Sequence, residues 1–125
     1  MNIVLYQPEI PYNTGNIGRS CVLTNTTLHL IKPLGFSLDE KQVKRAGMDY
    51  WHLVDLKIWE SFEEFLETNK GIRLFYATTK TKQKYCDVKY EENDYIMFGP
   101  ESRGIPEDIL NKNPERCITI PMIPM

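Results

Sequence analysis

A charged loop framed by two glycines follows one of the predicted strands and offers the clearest chemistry in the chain. Residues 99–104 (Gly-Pro-Glu-Ser-Arg-Gly) carry one carboxylate, Glu101, and one guanidinium, Arg103, directly after the strand-like run 94–98. Glycines in such a loop can adopt positive φ or let a ligand approach the backbone closely. Open α/β sheets bind their ligands at the carboxyl ends of the strands. The pattern predicts a binding loop. The alternative is an ordinary turn in which Glu101 and Arg103 pair with each other.

A second polar loop, near the N-terminus, offers another arginine. The apolar run 3–6 predicts a buried strand, and two prolines keep residues 7–11 extended. Asn13 or Thr14 can then cap a helix whose second turn carries Arg19. Taken alone, Arg19 is more typical of the exposed face of an amphipathic helix than of a site. Two strand-end loops that each offer an arginine indicate one shared site.

Length and composition describe one globular domain. The chain has 125 residues, of which 42% are hydrophobic and 26% charged. A net charge of −2 argues against broad, nonspecific binding of nucleic acid but allows a local basic patch. Three cysteines without paired spacing predict a reduced, cytoplasmic compartment, and two histidines without a CxxC motif argue against a metal site. The sequence lacks a signal-peptide pattern and any apolar run of membrane-spanning length, so we expect no membrane association.

Strands alternate with helices along the rest of the chain. Strand-like runs occupy residues 27–31, 53–58, 72–77 and 117–120, and helix-like segments occupy residues 39–47, 61–69 and 106–110. Asp39 and Ser61 are suitable N-caps, and Glu64 completes a capping box with Ser61. This alternation predicts a single α/β domain with a parallel sheet covered by helices on both faces.

Five segments occur in the order in which one known family has them. They are residues 13–19 (Asn-Thr-Gly-Asn-Ile-Gly-Arg), 33–36 (Pro-Leu-Gly-Phe), 46–50 (Ala-Gly-Met-Asp-Tyr), 98–104 (Phe-Gly-Pro-Glu-Ser-Arg-Gly) and 118–122 (Ile-Thr-Ile-Pro-Met). On these segments, which span nearly the whole chain, the sequence resembles the small SPOUT methyltransferases. The subgroup it resembles most methylates the 2′-hydroxyl of the wobble ribose of certain tRNAs with S-adenosylmethionine. The resemblance therefore implies this activity, this methyl donor and a tRNA anticodon stem-loop as partner.

The resemblance also implies a fold and an assembly. In the family, the C-terminal part of the α/β sheet domain threads through a loop to form a trefoil knot, and the members are homodimers. The family continues past the segment matched by residues 118–122 with a loop rich in Ser and Asn and a final helix, which complete the donor pocket and the knot. We expect residues 1–125 to form one SPOUT domain without this last part and to belong to a longer chain. A chain that ended at Met125 would favour the alternative of a non-catalytic, dimeric RNA-binding protein that keeps only the fold.

By the resemblance, the site residues fall into three groups. The expected catalytic residues are Asn13, Arg19 and Glu101. The expected donor-binding residues are Ala77, Gly99, Ile120, Pro121 and Met122. The expected RNA-binding residues are Arg103, Lys44 and Arg45, although basic clusters of this kind also occur on ordinary solvated surfaces. An arginine gives up its proton with difficulty, so stabilising a developing alkoxide or clamping a phosphate suits Arg19 better than acting as a base.

The aromatic residues and the loop at residues 99–104 leave two further readings open. Tyr50, Trp51, His52 and Trp59 can stack on unpaired bases, although aromatic residues beside strands belong more often to a core or a dimer interface. The loop itself also suits a nucleotide-phosphate site of an unrelated α/β enzyme, but no GxGxxG or Walker pattern accompanies it.

Overall fold

A parallel sheet organises the protein. The computed structural model describes residues 1–45, 47 and 50–120. Within these ranges the strands are β1 (Asn2–Tyr6), β2 (Thr27–Ile31), β3 (Leu56–Trp59), β4 (Leu74–Ala77), β5 (Tyr95–Phe98) and β6 (Cys117–Ile118). All are parallel and lie in the order β3-β2-β1-β5-β4-β6. The strand order reverses between β1 and β5, and their carboxyl ends lead into the two polar loops predicted to share a site. This reversal is where open α/β sheets form a ligand crevice.

Helices cover both faces of the sheet, as predicted. They are α1 (Pro11–Leu23), α2 (Glu40–Arg45), α3 (Phe62–Thr68) and α4 (Glu107–Asn111), with short 3₁₀ turns at Trp51–Leu53, Tyr85–Asp87 and Pro114–Arg116. Val4 points into a core beneath α3 and α4, whereas its neighbour Leu5 points into a separate core beneath α1. Alternate residues of a buried parallel strand thus serve two cores, which is why the sequence of β1 is a continuous apolar run.

Several predicted boundaries are wrong; β4, for example, begins at Leu74 instead of residue 72. The helix α1 begins at Pro11 with Ile10 as N-cap, so Asn13 and Thr14 lie inside the helix and do not cap it. The fixed φ of proline and its missing N–H suit the first helical position, which explains the earlier start. The edge strand β3 begins at Leu56, because Leu53 belongs to the preceding 3₁₀ turn. The last strand ends at Ile118 instead of residue 120.

Both tryptophans pack within the domain. Trp59 is half-buried, and its indole Nε1–H donates to Nδ1 of His29 at 3.0 Å. His29 is buried, and because its Nδ1 accepts this bond the proton of the neutral ring is on Nε2, which donates to Oδ1 of Asn2 at 3.0 Å. Burial lowers the pKa of His29 from 6.5 to about 4. Trp51 packs against α1 in the other core. The core reading of the tryptophans is therefore confirmed. No helix among the described residues is long and apolar enough to cross a bilayer.

Candidate active site

Two glutamates fasten the N-terminal loop to the glycine-framed loop. The carboxylate of Glu101 accepts hydrogen bonds from the backbone N–H groups of Glu9 at 3.1 Å and Ile10 at 2.6 Å. In return, the carboxylate of Glu9 accepts from the backbone N–H of Ser102 at 2.8 Å and from its hydroxyl at 2.9 Å. The hydrogen bond from the Ser102 N–H is the main reason that the pKa of Glu9 lies below its usual value. We call this arrangement the carboxylate clamp.

The clamp supplies the hydrogen-bond acceptor and the negative charge that the start of α1 lacks. The N-cap Ile10 has no side-chain acceptor, and the first turn of the helix contains no acidic residue. Glu101 places a negative charge there from a distant part of the chain, where it complements the positive end of the helix dipole. The clamp therefore sets the position of α1 relative to residues 99–104.

The glycine-framed loop is folded tightly on itself. A Cβ atom at Gly99 would lie 2.2 Å from the carbonyl carbon of Gly104 and from the nitrogen of Ile105. Gly104 has a positive φ of 71°, a conformation that other residues adopt rarely. Gly99 thus allows a close approach, as predicted, but the atoms that approach it belong to its own loop.

A cavity of about 220 Å³ lies where the strand ends meet this loop. It is lined by residues following β4 and β6 and by the loop after β5, among them Ala77, Thr78, Ile120, Ile105 and Arg103. The parallel pairing of β4 with β6, which places Ala77 beside Ile118, brings these ends together. Of the predicted donor-binding residues, Ala77 and Ile120 share this cavity, whereas Pro121 and Met122 lie outside the described residues.

A neighbouring cavity of about 380 Å³ contains the other predicted residues of the two loops. Asn13, Gly99 and Glu101 line it, and Phe98 lines both cavities. Thr14 lines it as well; its side-chain oxygen is buried and has no hydrogen-bond partner within the described residues. A larger cavity of about 810 Å³, between α3 and α4, contains none of the predicted site residues.

Arg19 lies outside both cavities. It is the ninth residue of α1 and so belongs to the third turn of the helix instead of the second. Its guanidinium carbon lies 4.8 Å above the centre of the Tyr50 ring, within the range of a cation–π contact. Lys44 and Arg45 are exposed in the last turn of α2.

The sequence reasoning missed Glu9 and Ser102, and it considered Tyr50 only for stacking on bases and not for a contact with Arg19. Glu9 stands in the extended, proline-flanked segment at the end of β1, and a second carboxylate at a strand end was the signal that could have identified it. No sequence pattern predicts a contact between Tyr50 and α1, which begins 39 residues earlier. Among the described residues, no group of three His, Cys, Asp or Glu side chains could hold a metal ion.

Comparison with known proteins agrees with this geometry. The sequence model of the SpoU rRNA methylase family matches residues 1–125. The tRNA (cytidine(34)-2′-O)-methyltransferase of Aeromonas hydrophila is 50% identical over 125 residues, which cover 99% of this chain and 80% of that protein. A structure solved for insight into the 2-OH methylation of C/U34 on tRNA has a TM-score of 0.88 and 44% identity, covering 99% of this chain and 81% of that one. The SpoU methyltransferase AviRb from Streptomyces viridochromogenes, solved with AdoMet, has the same fold, with a TM-score of 0.77, 16% identity and coverage of 100% and 52%. The resemblance is thus confirmed, and this chain belongs to the SpoU rRNA methylase family.

Proposed function

We propose that this chain carries the activity of an S-adenosylmethionine-dependent tRNA methyltransferase, which methylates the 2′-hydroxyl of the wobble ribose and takes cytidine as the base. The observation that carries the proposal is the convergence of the ends of β4, β5 and β6 on one cavity. The Aeromonas relative, at 50% identity, supports the substrate and the position of the methylated ribose.

The lining of the 220 Å³ cavity suits this methyl donor. Phe98, Ile105 and Ile120 offer apolar surface. The backbone at Ala77, the last residue of β4, and at Ile120, two residues after β6, suits main-chain contacts with adenine and ribose. When bound, S-adenosylmethionine would supply the methyl group of its sulfonium: the ribose oxygen would bond to the methyl carbon as the carbon–sulfur bond breaks in line, the sulfur would leave as a neutral thioether, and the hydroxyl proton would pass to water. Ala77, Ile120 and Gly99 are therefore our proposed donor-binding residues; Gly99 acts by allowing the loop to close on itself. We extend the assignment to Pro121 and Met122 by family resemblance.

The chain's own residues then have separate tasks. We assign Glu101 to positioning because both of its oxygens accept backbone hydrogen bonds that hold the start of α1. Asn13 lies in the first turns of that helix and lines the cavity beside Glu101. Arg19 stabilises the charge that develops on the ribose oxygen or holds the adjacent phosphate. Arg103, Lys44 and Arg45 contact the RNA backbone, and the exposure of all three side chains supports this assignment.

A matched pair of RNA substrates tests the proposal. The full-length protein is incubated with labelled S-adenosylmethionine and a tRNA anticodon stem-loop carrying cytidine at the wobble position. The control stem-loop has 2′-deoxycytidine there and therefore lacks only the acceptor hydroxyl. We expect one methyl group on the first RNA, mapped to the wobble ribose by mass spectrometry, and none on the second. If both RNAs remain unmethylated while the protein binds RNA, the non-catalytic alternative replaces this proposal.

We also propose that the protein is a homodimer. The tryptophans do not support this, since both pack within the domain. The support comes from α1 and its N-cap, where Leu23 is 81% exposed, Tyr12 68% and Ile10 43%. Large apolar side chains clustered on one surface element are typical of protein contacts. Light scattering at micromolar concentration should give the mass of a dimer, and Leu23→Lys should shift it towards the monomer.

The remaining assignments follow the family. We propose that residues 1–125 form one SPOUT domain with the trefoil-knot topology, and that the protein acts in the cytoplasm. The TM-score of 0.88 over 99% of the chain supports the single domain. Proteolysis of the full-length protein should leave residues 1–125 within one resistant fragment; cleavage between β3 and β4 would contradict a single domain.

A further inference from the structure

Tyr50 lies directly beneath the guanidinium of Arg19. The guanidinium carbon is 4.8 Å from the ring centre, and the tyrosine is half-buried. The Tyr50 hydroxyl donates a hydrogen bond to the carbonyl of Gly15, one helical turn before Arg19. The ring is therefore attached to the same helix that carries the arginine it contacts.

The lack of a side chain at Gly18 of α1 allows this close approach. Gly15 and Gly18 are both buried, and a Cβ atom at Gly18 would lie 2.7 Å from Cζ3 of Trp51. The segment containing Tyr50 and Trp51 therefore lies directly against the helix backbone. The following 3₁₀ turn, in which the N–H of Leu53 donates to the carbonyl of Tyr50 at 2.9 Å, holds the tyrosine backbone in place.

The contact with the Tyr50 ring restricts the side-chain rotamers of Arg19. Arg19 is exposed, and no ion pair between described residues involves it. A long exposed side chain without partners samples many rotamers. The face of an anchored aromatic ring attracts a cation and favours the rotamers that place the guanidinium over it.

We propose that Tyr50 is a positioning residue, which holds the Arg19 guanidinium in the orientation required by the acceptor nucleotide. The proposal rests on the proposed function for the role of Arg19 in methyl transfer. The ring carries the effect, and the hydroxyl bond to Gly15 keeps the ring in place.

Two substitutions in the full-length protein separate the ring from the hydroxyl. Tyr50→Phe keeps the aromatic face and loses the hydrogen bond, whereas Tyr50→Leu loses both. Thermal unfolding confirms that each variant is folded. The first readout is the Nε–H resonance of Arg19 in nitrogen-15 NMR spectra, assigned by its disappearance in Arg19→Lys. The second is steady-state methylation of the wobble-cytidine stem-loop, which gives kcat and KM separately.

In the wild type, the ring current should shift the Arg19 resonance upfield. We expect Tyr50→Leu to return it to the position of a free arginine, and Tyr50→Phe to keep most of the shift. Tyr12→Leu removes an exposed tyrosine from the same helix and should leave the resonance unchanged. We expect Tyr50→Leu to lower kcat about fivefold, equivalent to about 1 kcal/mol, with an unchanged KM for S-adenosylmethionine. Tyr50→Phe should restore most of kcat.

Three results would overturn the proposal. They are an unchanged Arg19 resonance in Tyr50→Leu, an unchanged kcat in that variant, and a Tyr50→Phe variant as impaired as Tyr50→Leu. Absence of methylation by the wild type would instead overturn the proposed function. In that case the Arg19 Nε–H resonance alone would show whether Tyr50 orders the Arg19 side chain.

Discussion

Replacing Gly99 by alanine should disrupt the donor site by distorting its loop. The added Cβ would lie 2.2 Å from two backbone atoms, Gly104 C and Ile105 N, whereas ordinary van der Waals contact begins at 3.4 Å. Neither atom belongs to a flexible side chain that could turn away. The loop must therefore move by more than 1 Å, and it carries both Glu101 and Ser102 of the carboxylate clamp.

The size of the effect follows from that geometry. Overpacking within a folded structure typically costs about 1–3 kcal/mol, and we expect the upper end because backbone must shift. Ile105 and Gly104 line the proposed donor cavity, so we also expect S-adenosylmethionine to bind at least about tenfold more weakly. Urea unfolding measures the first quantity, and isothermal titration calorimetry on the full-length protein measures the second.

Gly71→Ala is the matched control for this substitution. Gly71 has a positive φ of 80° and open space around the added Cβ. It follows α3, outside the residues that line the donor cavity. The left-handed backbone should cost the alanine variant about 1–2 kcal/mol without changing donor affinity. Wild-type stability and donor affinity in Gly99→Ala would refute the reasoning about this loop.

Three further predictions concern charge. Arg19→Ala should lower the methylation rate about 10²–10³-fold while donor affinity measured by calorimetry stays within about twofold; a variant that retains more than about a tenth of the rate would remove Arg19 from catalysis. Replacing Lys44 and Arg45 by alanine should lower the salt dependence of tRNA affinity by about one to two units of log–log slope, and an unchanged slope would exclude them as phosphate contacts. Because the pKa of His29 is about 4 in the folded protein and near 6.5 in the unfolded chain, only the unfolded chain gains its proton between these values. Through this group the free energy of unfolding should therefore fall by about 1.5 kcal/mol from pH 6.5 to pH 5, and urea unfolding at the two pH values should show a fall smaller by that amount in His29→Gln.

Local patterns in the sequence predicted the elements well. Strand β2 has the bounds predicted for it, and Asp39 and Ser61 cap their helices through hydrogen bonds to Gln42 and Glu64. These features depend on residues within a few positions of one another, where propensity and capping decide the structure. The start of α1 was wrong because proline at the first helical position competed with Asn13 and Thr14 as the signal.

Site features that join distant segments could not be predicted in this way. The family resemblance identified Glu101 and Arg19 by position, yet it did not name the residues that either side chain contacts. Glu101 reaches backbone 92 residues away, and Arg19 contacts a ring on another element. Such contacts depend on the register of β1 against β5 and on the close approach that Gly18 of α1 permits.

The carboxylate clamp explains how separate cavities can serve one reaction. Glu9 and Glu101 are like charges on adjoining loops, and their repulsion is offset because each carboxylate accepts two hydrogen bonds from the opposite loop. The loop that lines the proposed donor cavity is thereby fixed to the first residues of α1. Arg19 lies further along the same helix, outside that cavity, so its position relative to the donor depends on the clamp instead of on a direct contact. A change that frees either loop should therefore impair donor binding and the placement of Arg19 together.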